Sequence, residues 1–474
     1  MSDTPSADLP SEIGRGASSP AITSAITKHA TPILIAQLAS MSTAIVDTVI
    51  TARVSTVDLA AVGIGAGLYM SVMLAGAGVV QGLTPIAAHH VGARRFDQLP
   101  ATLQQGLWLC LLLAVGGSLI LAMPDWLLNM NHVSPAVAER TRAYLAVLAL
   151  ALPGTLVYRA CGGMLNALGR PRMLMFFGLA NAGSHVLLAP MLAFGWFGLP
   201  ALGAVGCAAS VAFNTTLLAV VGLIYLIRSP VSRELQLLRQ WQGPRWPLIA
   251  EHLKLGLPIG LSTFVEMSSF ALIGLLVAGL GAEAVGANRL LGNFAGTCYM
   301  LPLSISIATL ALVGQAAGAQ DWARVRRTAA AGMALGCTIS VLVGITLWLL
   351  QRPLIEASVP DPAVRAAAFG LVGLIALYQL VDAAQTIAAQ ALRGLKITTL
   401  PMLVHIFSFW GVGLAGGWWL CYHGLQALNI APQGLAGFWQ AGVASSSVAA
   451  LLFAGLLWAA LRKHPSSRTN RDAA

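Results

Sequence analysis

Charge is what this sequence has least of. Only 9% of its 474 residues are Asp, Glu, Lys or Arg, against about 25% in a typical soluble domain. A water-soluble chain so poor in charge could not cover its own surface; here 57% of residues are hydrophobic and the mean hydropathy is +0.77. Disorder, a fibrous repeat and an ordinary cytosolic enzyme are excluded together. Lysine occurs four times, after Thr, Leu, Leu and Arg. With no Gly-Lys pair the P-loop of a nucleotide-driven pump is absent. Neither His-Glu-x-x-His nor Gly-x-Ser-x-Gly occurs, which removes the metalloprotease and esterase readings. The six cysteines, Cys110, Cys161, Cys207, Cys298, Cys337 and Cys421, lie in or at the ends of apolar segments. Their spacing fits neither a disulfide framework nor a zinc site, so they read as buried spectators. Residues 1–28 are polar and lack an apolar h-region; no cleaved signal peptide is expected, and the first hydrophobic helix directs insertion.

What the chain does have is long apolar runs. A helix needs about 20 mostly apolar residues to cross the hydrocarbon. Twelve stretches qualify: 30–52, 59–85, 103–123, 143–167, 173–196, 202–227, 254–280, 284–313, 328–350, 366–392, 397–422 and 434–461. The runs are long and unbroken rather than short and alternating, so they predict helices and not a barrel. The 49 Gly and 23 Pro fit that class. The formal charge of +10 does not point to nucleic acid, because its Arg and Lys are scattered through short loops. With the N-terminus inside, 21 of the cations fall on the cytoplasmic side and five (Arg53, Arg140, Arg142, Arg352 and Arg365) on the other. Both termini are therefore expected to be cytoplasmic.

The longest polar interruption, 228–253, divides the chain into an N-terminal tail (1–28), a first lobe (29–227), a linker, a second lobe (254–462) and a C-terminal tail (463–474). The halves echo each other. Pro32 opens the first span as Pro258 opens the seventh, and Gly92-Ala93 after the second matches Gly318-Ala319 after the eighth in the same register. Asn166-Ala167-Leu168 resembles Gln390-Ala391-Leu392. Six spans per half give a parallel repeat, with a pseudo-twofold axis along the membrane normal and sites near a central cleft.

Of the 17 acidic residues, three lie well inside spans: Asp47, Glu266 and Asp382. A charge there costs about 2.5–3.5 kcal/mol on insertion scales, so each acid should face the bundle interior or a water-filled cavity. Either it is protonated or paired to hold helices together, or it exchanges a proton or small cation. Three acids facing one intramembrane cation, Arg289, favour exchange. Arg289 itself either snorkels to the outer interface or turns inward to pair with Glu266 or Asp382. Tyr378 precedes Asp382 by four residues, so the two share a helix face. Its ring could support a cation. Asn288, Asn293, Asn181, Gln37, Gln379 and Gln385 supply uncharged polar groups of the kind that join helices, and His185 and His405 also fall inside spans. Gly63-Ile64-Gly65-Ala66-Gly67 reads as close helix packing, since no strand precedes it.

These residues resemble the multidrug and toxic compound extrusion (MATE) family, most closely its NorM branch. The resemblance rests on Ala30-Thr31-Pro32, Ile45-Val46-Asp47-Thr48 and Asp58-Leu59-Ala60-Ala61-Val62 in the first half. In the second it rests on Gly256-Leu257-Pro258, Phe264-Val265-Glu266, Tyr378-Gln379-Leu380-Val381-Asp382-Ala383, Leu392-Arg393-Gly394 and Gly437-Phe438-Trp439. It implies an all-α, multi-pass inner-membrane protein of bacteria, monomeric, with two six-helix lobes around a V-shaped cleft. It implies export of cationic amphipathic drugs against inward H+ or Na+, with no cofactor. By matching motifs, Asp47 would be the first-lobe coupling acid. Glu266, Asp382 and Tyr378 would form a second-lobe cation site able to take Na+. Asn288-Arg289 stands where the branch often has His-Gln, and His185 where an asparagine is common. The alternatives are a lipid-linked oligosaccharide flippase of the related superfamily, which would need more fixed cations, and a scaffold or sensor, which would leave the acids without a task.

Overall fold

The computed structural model describes residues 18–463 apart from 126–127, 129–132, 229–236, 238–240 and 425–430. Twelve helices in it are long and apolar enough to span a membrane. They are α1 (Ser19–Val54), α2 (Thr56–Gly92), α3 (Phe96–Ala122), α4 (Pro135–Ala167), α5 (Pro171–Phe194), α6 (Ala204–Arg228), α7 (Trp246–Leu280), α8 (Ala282–Gly318), α9 (Trp322–Leu349), α10 (Val372–Gly394), α11 (Thr399–Tyr422) and α12 (Leu435–Arg462). No strand occurs among the described residues, as expected where no water is present to satisfy an open sheet edge. Short polar residues start several helices. Ser55 accepts from Asp58 N at 2.9 Å to open α2, and Asp321 accepts from Arg324 N at 3.0 Å to open α9.

The described residues divide into two compact units. Unit 1 comprises residues 31–260. Its core runs along α4, whose Leu145, Leu148, Leu152 and Leu156 are almost wholly buried. Gly154 of α4 meets the backbone of Thr216 so closely that a Cβ would lie 2.9 Å from its Cα. Unit 2 comprises residues 18–30 and 261–463. Here α10 is central and packs against α8, α9 and α12.

Both boundaries depart from the sequence expectation. The tail assigned to 1–28 is helical from Ser19. Ile22, Ile26 and Ala30, spaced four apart, form one apolar face that packs on Ile305, Ala308, Leu312 and Ile387 of unit 2. That face is too short to register as an apolar run. Reciprocally, the opening turns of α7 belong to unit 1. A Cβ on Gly78 would lie 2.5 Å from Gly260 Cα, and one on Gly82 would lie 2.9 Å from Gly256 N. Only paired glycines allow helix axes so close. The linker is partly helical from Trp246, and its preceding residues are strapped to α3. Gln104 donates to Leu237 O at 3.0 Å and accepts from Gln242 N at 2.8 Å. Gln105 donates to Gly243 O at 3.1 Å and accepts from Arg245 N at 2.7 Å. Of the expected tails, 1–28 and 463–474, residues 1–17 and 464–474 lie outside the described residues.

Near its middle α11 widens into a π-helical segment, Ile406–Ala415. The span expected at 366–392 divides into a short helix, Pro362–Phe369, and α10.

Candidate functional site

Each unit holds an intramembrane acid inside a hydrogen-bonded polar network, half-buried in unit 1 and buried in unit 2. In unit 1 the acid is Asp47 of α1. Its Oδ1 lies 2.9 Å from Nε2 of His185 on α5, and the His185 side chain is 2% exposed against 15% for Asp47. The imidazole is held from its other side: Ser210 Oγ of α6 lies 3.0 Å from Nδ1. Asn214 Nδ2 donates to Ser210 Oγ at 3.4 Å, and Ser184 donates to Asn214 Oδ1 at 2.7 Å. A carboxylate can only accept. Beside an ionised Asp47, therefore, Nε2 carries a ring proton, and in the neutral ring Nδ1 accepts from the serine hydroxyl. The Cys207 thiol also meets Asp47.

In unit 2 the acids are Glu266 of α7 and Asp382 of α10. Asp382 is 3% exposed; it accepts from Gln385 Nε2 at 3.0 Å, and the Tyr378 hydroxyl interacts with it. Their four-residue spacing does place Tyr378 and Asp382 together, with the Tyr378 ring edge-on to Trp439 at 5.9 Å. Gln385 also donates to Thr386 Oγ1 at 3.0 Å, and its Oε1 lies 3.2 Å from His405 Nε2. Glu266 is half-buried and feels the charges of both Asp382 and Arg393.

Arg393 is the residue that sequence reasoning missed. Standing at the end of a span, it counted as a cytoplasmic loop cation. It is instead 9% exposed, donates to Gln390 Oε1 at 3.3 Å and interacts with the charge of Glu266. Arg289 goes the other way: it is exposed on α8 and makes no ion pair among the described residues. The inward pair with Glu266 or Asp382 is not formed. Gln379 donates to Ala295 O at 2.9 Å and ties α10 to α8. Gln37, Asn288 and Asn293 join neither network. A further acid read as peripheral, Asp58, is 3% exposed. It accepts from Ala204 N at 2.7 Å and pairs with Arg140 at 3.4 Å, fastening the starts of α2 and α6.

Twelve spanning helices carrying ionisable groups in buried networks define a polytopic membrane protein whose interior handles charge. The MatE family profile matches residues 32–191 and 258–419, and the chain belongs to that family. It is 47% identical over 441 residues to a probable multidrug resistance protein NorM of Aromatoleum aromaticum, covering 93% of this chain and 95% of that one. It is 38% identical to a protein of the same description in Chromobacterium violaceum, covering 94% of each. A crystal structure of MATE in complex with MaL6 superposes with a TM-score of 0.83 at 17% identity, over 93% of this chain and 97% of that one.

Proposed function

We propose that the protein is a secondary active multidrug exporter of the bacterial inner membrane. It moves cationic amphipathic compounds, of the fluoroquinolone and ethidium kind, outward in exchange for protons, as a monomer with both termini cytoplasmic. Family membership and relatives described as multidrug resistance proteins support the substrate class. The Asp47–His185 contact carries the choice of ion. One lone pair of the carboxylate is already engaged by an N–H donor, and a thiol lies near it. Nitrogen and sulfur are poor ligands for a hard cation, whereas a proton needs only the free carboxylate oxygen. Loading that oxygen and releasing it on the opposite face would bias two conformations through differential binding alone.

Sodium is the second reading, favoured by the oxygen-rich neighbourhood of Glu266, Asp382 and Tyr378 and opposed by the charge of Arg393 beside it. The test is ethidium export by purified protein in liposomes, with ΔpH and ΔNa+ imposed separately. Export should follow ΔpH and persist without sodium; export that follows only ΔNa+ overturns proton coupling. Movement of a lipid-linked oligosaccharide without dye export would replace the drug assignment with the flippase.

A further inference from the structure

Among the described residues the amide of Gln385 touches both Asp382 and His405, and its orientation decides what Asp382 meets. An ionised carboxylate offers only lone pairs, so it needs the NH2 end. The NH2 end is there, 3.0 Å from Asp382 Oδ1, which leaves Oε1 facing His405 Nε2 at 3.2 Å. An amide oxygen accepts, so Nε2 must carry the imidazole proton. His405 has good reason to keep that tautomer. It is 2% exposed, wedged edge-on between Phe409 at 5.5 Å and Phe453 at 4.9 Å, and its Nδ1 has no hydrogen-bond partner among the described residues. Moving the proton to Nδ1 would bury an orphaned N–H, a costlier defect than an orphaned acceptor.

The wedge has a backbone cause. His405 immediately precedes the π-helical segment of α11, whose wide turns leave carbonyls free for side-chain donors. Ser445 donates to Ser408 O at 2.7 Å and Ser269 donates to Phe409 O at 3.1 Å. These bonds fix the turn that aims the imidazole.

We propose that His405 is a positioning residue for Asp382: it holds the Gln385 amide with its donor end on the carboxylate, the arrangement that suits the ionised acid. The inference deepens the exporter reading and rests on Asp382 acting in coupling. His405 is not required to touch substrate or ion.

The test is a double-mutant cycle on the full chain in liposomes, with nitrogen-15 spectra of labelled histidine as a readout independent of transport. His405→Phe keeps the aromatic packing and removes the donor; Gln385→Leu removes the intermediary. Each should lower the ethidium export rate about tenfold, the scale of a charged hydrogen bond. The double variant should fall within about twofold of Gln385→Leu alone, because both changes cut one chain of contacts. His405→Gln, which retains an N–H, should recover most of the rate. Losses that multiply in the double variant, or a wild-type His405 protonated at Nδ1, overturn the proposal. Absence of ethidium export by the wild-type protein under either gradient overturns the exporter reading alone, since the nitrogen-15 spectra still decide whether His405 fixes the amide; normal export by Asp382→Asn overturns the role given to Asp382 and this proposal with it.

Discussion

Arg289 and Arg393 show how a single side chain can exchange roles once depth is known. A buried charge is destabilising unless opposite charge nearby offsets its desolvation, and Arg393 and Glu266 interact through their charges without a direct ion pair among the described residues. Arg393→Met should therefore lower thermal stability in detergent markedly, and Glu266→Gln on the same chain should restore part of the loss. A double variant as unstable as the single would show that the two charges do not sense each other. Arg289→Gln should leave drug tolerance within about twofold of wild type, as for surface changes away from buried features. A large loss would place that guanidinium inside after all. The three acids were legible from sequence because charge in an apolar run has few explanations. Arg393 was not, since the segment Leu392-Arg393-Gly394 looks like any basic span end, and the partner that betrays it, Glu266, is remote in sequence. His185 was legible as a polar intruder, but its contact with Asp47 depends on how α1, α5 and α6 pack.

At the scale of elements, hydropathy located all twelve helices, while their contacts depended on features too small for a run of apolar residues to reveal. The Gly63-Ile64-Gly65-Ala66-Gly67 stretch of α2 illustrates this. Only Gly65 faces a neighbour: a Cβ there would lie 2.6 Å from Tyr144 Cδ1, whereas Gly63 and Gly67 have open space within 4 Å. Gly65→Leu should displace Tyr144 of α4 and reduce folded yield and melting temperature, by the overpacking cost of about 1–3 kcal/mol. Gly63→Ala should be neutral or slightly stabilising, because alanine is the better helix former by about 1 kcal/mol. Fluorescence-detected size exclusion after heating separates the two; equal behaviour would mean that glycine is needed here for reasons other than contact. The unit boundaries were hidden in the same way. Ile22 and Ile26 on α1, and Gly256 and Gly260 on α7, act through spacing on one helix face, and neither set alters average hydropathy.

For the whole molecule, the uneven distribution of basic residues becomes a statement about sidedness. Lys463 closes the last described turn after α12, and Arg365 lies in the short helix Pro362–Phe369 that precedes α10. Twelve spans return the chain to the side on which it began, so Lys463 should face the cytoplasm and Arg365 the outside. The native thiols provide a low background: Cys110, Cys161, Cys207 and Cys421 are buried, and Cys298 and Cys337 are half-buried within spanning helices. A membrane-impermeant maleimide should therefore label intact cells carrying Arg365→Cys and leave those carrying Lys463→Cys unlabelled until the membrane is opened. The reverse pattern would invert the protein and exchange the faces assigned to Arg365 and Lys463. Inversion would not change the direction of the proposed exchange, because in an antiporter the ion gradient, and not the orientation of the chain, decides which way each partner moves.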